Sequence, residues 1–309
     1  MTPFETPVLF LVFNRPDHTT KVFEKIRQVK PKYLFVAADG PRESRPEEKE
    51  KCKKVRELIL NGIDWDCELK TLFRDENLGC GVAVSDAITW FFSHVEQGII
   101  LEDDCVPNNA FFTFSERLLN YYRDDSRIMH IGGSCYVPST YFEKESYYFS
   151  KYEHCWGWAT WRRSWEKFDF QMTGLEYFSD MARQLGLKYD ESIYWEKVYN
   201  LTIDKNDIWD YQWNYSIWKN RGICIHPTHN YIKNIGFDKD ATHTTGENEF
   251  YDKIQQEDFL GEIMHPEELK INKKADKYVY DHYYNPNPAF IQRVFNQTKA
   301  FLKLLMNYI

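Results

Sequence analysis

Glu102-Asp103-Asp104 places three carboxylates in a row, directly after the apolar run Ile99-Ile100-Leu101. Like charges this close repel, and the end of a buried strand turns them toward a crevice rather than open water. A divalent cation relieves that repulsion, and ligation by oxygen alone suits magnesium or manganese. Such a cation keeps several waters and takes further oxygens from phosphates. A solvated acidic turn is the plainer alternative. Arg15, in Asn14-Arg15-Pro16, offers a planar fork for a phosphate or a base edge, although proline at a helix start is also ordinary punctuation. Asp39, in Ala38-Asp39-Gly40-Pro41, can accept from a base or a ribose, or simply close a turn. Asp210 stands among aromatic residues in Trp209-Asp210-Tyr211-Gln212-Trp213. Such surroundings raise a carboxylate's pKa and suit it to accept a proton, while a structural acid at a helix start reads equally well. His243, in Asp240-Ala241-Thr242-His243, is a candidate ligand for metal or phosphate, or a structural histidine.

The elements that must position these groups follow from the apolar pattern. Residues 8–13 form a continuous apolar run of strand length, broken by Asn14-Arg15-Pro16-Asp17. Apolar residues at 22, 23, 26 and 29 predict a helix over 19–29. Strands are predicted at 33–38, 68–73 and 98–101, and helices at 46–60 and 81–94. Strand alternating with helix is the pattern of a parallel sheet covered on both faces, whose ligands bind beyond the carboxyl ends of the strands. Asn14, Arg15, Asp39, Arg74 and the acidic triplet all fall at such ends. From about residue 128 the chain turns aromatic, with tryptophans crowded in 152–165 and again in 208–218. Nothing rich in Gly, Pro or Ser separates the halves. The expected organisation is one domain over 1–245, with a nucleotide-binding half over 1–127 and an acceptor-side half over 128–245. A C-terminal extension over 246–309 ends in an amphipathic helix at 290–309, a candidate for peripheral membrane contact.

Composition narrows the function. A net charge of -8 over 309 residues argues against nucleic acid as the main partner. Aromatic residues make up 17% of the chain, and their faces suit flat, partly polar ligands such as sugars and bases. Nothing approaches the ~20 apolar residues of a membrane span, and the N-terminus lacks the basic start and apolar stretch of a signal peptide. The seven cysteines include no CxxC pair, so a reducing cytoplasm is the default. Gly79-Cys80-Gly81, with Glu102 about 20 residues on, imitates the dinucleotide fingerprint. Val84 stands in the place of its third small residue, however, and the loop over 74–78 is long for the tight turn.

In order along the chain, these segments resemble the GT-A nucleotide-sugar glycosyltransferases, and among them the N-acetylglucosaminyltransferase I type with its bacterial relatives. The resemblance covers roughly 6–245. It rests on Phe13-Asn14-Arg15-Pro16, Ala38-Asp39-Gly40-Pro41, Arg74-Asp75-Glu76-Asn77-Leu78-Gly79, Ile100-Leu101-Glu102-Asp103-Asp104, Cys155-Trp156-Gly157-Trp158, Trp209-Asp210 and Gly222-Ile223-Cys224-Ile225-His226-Pro227. It implies an α/β fold, a Rossmann-like, mostly parallel sheet flanked by helices. It also implies a metal-dependent, inverting transfer from a UDP-sugar to a saccharide or lipid-linked acceptor. Phe13, Asn14, Arg15, Asp39, Arg74, Asn77, Glu102 and Asp103 would line the donor nucleotide. Asp104 would hold Mn2+ or Mg2+; His243 is the further candidate ligand, from its residue type alone. Trp156, Gly157 and Trp158 would face the acceptor, and Asp210 would be the base. The family type carries two adjacent acids where this chain reads Asp210-Tyr211. The expected place of work is the cytoplasm or the inner face of its membrane. The competing expectations are a sugar nucleotidyltransferase, which would show a glycine-rich loop after the first strand, and a non-catalytic carbohydrate-binding protein.

Overall fold

The computed structural model describes residues 4–203, 205–237, 254–258 and 261–284. The first apolar run becomes β1 (Val8–Val12), buried at all five positions. Its side chains alternate between two cores: Leu9 and Leu11 join one, and Val8, Phe10 and Val12 the other. A strand apolar on both faces must be covered on both faces, and helices supply the cover. After β1 come α1 (Pro16–Val29), β2 (Tyr33–Ala38), α2 (Glu48–Gly62), β3 (Glu68–Phe73), α3 (Cys80–His94) and β4 (Gln97–Glu102). Val22, Phe23 and Ile26 of α1 and Val55 and Ile59 of α2 pack into one core; Ala87, Ile88 and Phe91 of α3 pack into the other. The first helix begins three residues earlier than predicted, because Pro16 occupies a helix start where its missing N–H costs nothing.

The second half continues with β5 (Cys105–Pro107), α4 (Asn109–Tyr121), β6 (Ile128–Gly132), β7 (Tyr147–Ser150), β8 (Trp158–Trp161), α5 (Arg162–Trp165), α6 (Phe178–Gln184), α7 (Tyr189–Thr202), α8 (Asp210–Lys219), β9 (Ile223–Pro227), β10 (Ile232–Asn234) and α9 (Lys273–Val279). The eight-stranded sheet runs β3-β2-β1-β4-β8-β6-β9-β7, with a separate β10-β5 ribbon. The four N-terminal strands are parallel, as expected. The aromatic half then inserts β8 antiparallel between β4 and β6. The expected architecture, a large mostly parallel sheet flanked by helices, is the one observed.

The segment around α9 packs onto the sheet at β7. Asn272 N–H donates to Phe149 O at 2.8 Å, and Ser150 donates to buried Asp276 at 2.7 Å. Residues 290–309 and His243 lie outside the described residues. Among the described residues no helix is long and apolar enough to cross a membrane.

Candidate active site

Arg15 caps the start of α1, where Thr19 holds its carbonyl through both N–H and hydroxyl at 2.9 and 2.8 Å. Its side chain crosses to the end of β4. There the guanidinium bonds Asp103 and lies 3.0 Å from Asp104 Oδ2. Asp103 is 3% exposed, and its Oδ2 has no partner among the described residues. Asp104 is fixed from behind as well. Its carbonyl accepts Ile235 N–H at 2.9 Å, and the Cys105 thiol reaches its Oδ1 at 3.3 Å. A β-carbon at Gly236 would lie 2.2 Å from Asp104 Oδ2, so glycine there lets the backbone close on the carboxylate. His18 of α1 completes the frame through Ile235 O at 2.9 Å.

Burial first, and then the charges of Asp104 and Asp103, push the Glu102 carboxyl well above its ordinary range, and Asp210 adds to the push. Asp103 is likewise raised by burial, with Arg15 opposing. Among the described residues no group of three His, Cys, Asp or Glu side chains is arranged to hold a metal ion. The donors present nonetheless fit one kind of site. Asp104, beside other carboxylate oxygens, offers the hard oxygens that magnesium or manganese takes when one or two carboxylates and substrate phosphates share it.

At the end of β2, Asp39 takes the plainer of its two expected roles and closes a turn. Asp39 accepts from Gly40 N–H at 2.9 Å, Asn77 Nδ2 at 2.9 Å, Leu78 N–H at 3.1 Å and Gly79 N–H at 3.2 Å. Its acceptor positions are taken up in holding the loop that leads into α3. Asn77 also donates to Gly40 O at 2.8 Å. Arg74 turns to Asp86 at 2.5 Å, and Phe13 lies under the guanidinium of Arg42 at 5.5 Å.

The first turn of α3, at the end of that loop, packs against the chain leading to Asp210. A β-carbon at Gly81 would fall 2.5 Å from Asn206 O and 2.6 Å from Ile208 O, and Val82 N–H donates to Asn206 O at 3.2 Å. The glycine that imitated a dinucleotide fingerprint instead makes room for the chain entering α8, whose first residue is Asp210. The charge of Asp210 is felt by Glu102 and by Glu153. Burial first, then Asp210, pushes Glu153 up to about 8. Glu153 is 6% exposed and accepts from the Cys155 thiol at 2.8 Å. Sequence reading passed it over. Its only signal was a lone acid in an aromatic stretch, Tyr152-Glu153-His154-Cys155-Trp156.

Trp158 corrects an expectation. It is fully buried on β8, 5.8 Å from Trp209, 5.9 Å from Trp213 and stacked on His130 at 5.1 Å. Its ring belongs to the core and cannot present an acceptor platform. Strand alternation and the pairing of β8 with β4 and β6 turn it inward. Trp156 stays half-buried, against Tyr136 at 5.9 Å and Phe237 at 5.5 Å. Gly157 adopts φ +63°, where a β-carbon would meet Ile232 at 2.4 Å.

No protein-family model matches the sequence, and no curated protein does either. Among solved structures the chain is similar to mannose-1-phosphate geranyltransferase from Thermus thermophilus, at 10% identity and TM-score 0.38, over 72% of this chain and 73% of that one. It is also similar to mouse xyloside xylosyltransferase 1 in its apo form, at 10% identity and TM-score 0.34, over 69% and 81%. A third is UDP-glucose pyrophosphorylase complexed with UDP-glucose, at 9% identity and TM-score 0.30, over 52% and 79%.

Proposed function

We propose that this chain is a metal-dependent, inverting glycosyltransferase that moves a sugar from a UDP-sugar to a saccharide or lipid-linked acceptor. One arrangement carries the reading. Arg15 and Asp104 meet at the carboxyl ends of neighbouring parallel strands, and Asp210, at the start of α8, lies close enough to act on Glu102 of the same strand end. On this reading a diphosphate site and a proton acceptor lie near the same strand end. The short crossing from β1 to α1, Phe13-Asn14-Arg15, holds no glycine, which speaks against the loop of a nucleotidyltransferase.

In this account Arg15 takes the donor diphosphate through its planar fork, and Asp104 would hold the cation. Manganese or magnesium would supply Lewis-acid neutralisation of the leaving diphosphate. Asp210 accepts the proton of the acceptor hydroxyl as that oxygen bonds the anomeric carbon. The bond from that carbon to the diphosphate breaks on the opposite face, and UDP leaves. Trp156 borders the acceptor side.

The test is a thermal-shift screen of UDP- and GDP-sugars with and without Mn2+. A ligand at 100 times its Kd stabilises by about 2.7 kcal/mol. A manganese-dependent shift with a UDP-sugar is expected, and its absence with every nucleotide sugar would refute the reading.

A further inference from the structure

Arg15 already places a positive charge where a divalent cation would serve Asp104. The guanidinium bonds Asp103 and reaches Asp104 Oδ2 at 3.0 Å. Both partners of the second contact are shielded, with side chains 18% and 16% exposed. The Arg15 backbone is fixed at the head of α1 by Thr19, so a change of partner falls to the side chain. Asp103 stays behind with one buried oxygen unpartnered. A guanidinium and a doubly charged cation on one carboxylate repel each other strongly where water is scarce. A diphosphate changes that balance. Its oxygens match the guanidinium fork, and its negative charge lets both cations sit side by side.

We propose that Arg15 is a built-in counter-ion that keeps free divalent cations off Asp104 until a donor diphosphate draws the guanidinium away, so that nucleotide binds first and the cation second. The proposal rests on the nucleotide-sugar reading of this site. By linkage, UDP and the cation raise each other's affinity by the same factor, and Arg15 enlarges that factor by weakening the cation alone.

The experiment titrates Mn2+ into the full chain, reading the paramagnetic resonance signal of free Mn2+, with UDP absent or saturating. Wild type, Arg15→Ala, Arg15→Gln and Asp104→Asn are compared, with circular dichroism as the check of folding. Loss of Arg15 is expected to tighten Mn2+ alone by about tenfold or more while leaving its affinity with UDP within about threefold. Asp104→Asn is expected to weaken Mn2+ in every state. Arg15 variants that bind Mn2+ alone no tighter than wild type would overturn the proposal. So would wild type that binds Mn2+ equally well with and without UDP, a result that needs no variant to fold. If UDP and Mn2+ couple equally in wild type and the Arg15 variants, the nucleotide reading stands and the counter-ion role falls. If wild type binds no UDP with or without Mn2+, both fall.

Discussion

Gly81 and Asn206 are in backbone contact: a β-carbon on the glycine would sit 2.5 Å from the asparagine carbonyl oxygen. This contact joins the two halves of the site. On one side the loop before α3 is gathered by Asp39, and on the other the chain enters α8 at Asp210.

Gly81→Ala is therefore predicted to force the 206–208 loop outward. Overpacking against backbone costs about 1–3 kcal/mol, to be read by urea unfolding. Turnover is expected to fall as Asp210 moves with its loop. A variant of unchanged stability and activity would show that the contact positions nothing.

The two tryptophans of Cys155-Trp156-Gly157-Trp158 should part company. Trp158→Ala is predicted to lose about 3–5 kcal/mol, the ordinary cost of deleting a fully buried aromatic, with the loss visible in thermal unfolding. Trp156→Ala, at a half-buried position, is predicted to leave the fold nearly intact and to raise the acceptor KM more than the donor Kd. Equal stability losses at both positions would contradict this division.

These contrasts mark what the sequence made legible. Strands β1 and β2 were readable because a strand buried on both faces shows as an unbroken apolar run. Each carboxyl end then delivered its polar group at a fixed place, so Arg15 and the acidic triplet could be named before any fold was known. The aromatic half was less readable. Trp158 and Trp156 are both tryptophans two residues apart, and only strand pairing distinguishes the core ring from the half-buried one. Asp39 was legible as a strand-end acid, but its partners at 77–79 come from a neighbouring loop that no spacing rule encodes. Glu153 was missed because its raised pKa comes first from burial in the fold and then from the charge of Asp210, 57 positions away in sequence.

Glu153 also makes a pH prediction. Its folded pKa, about 8, is raised above the ordinary 4.5, so the folded state holds a proton that the unfolded state has released between those values. Its contribution is complete below about pH 4.5 and is lost as pH rises through 8. Between pH 6.5 and 8 it should make stability fall with rising pH by up to about 1.4 kcal/mol per unit. Urea midpoints across that range check the slope, and Glu153→Gln should flatten it. A slope unaltered in the variant would mean that Glu153 ionises normally.

The most direct test of the central claim is to measure turnover and donor affinity together in Asp210→Asn. An inverting transfer needs a positioned base, typically worth about 10²–10⁴-fold, and Asp210 is assigned that work alone. UDP-sugar affinity is predicted to stay at the wild-type value while the rate of UDP release with acceptor present drops by a factor in that range. A variant that turns over at the wild-type rate, or one that loses donor binding instead, would contradict the account.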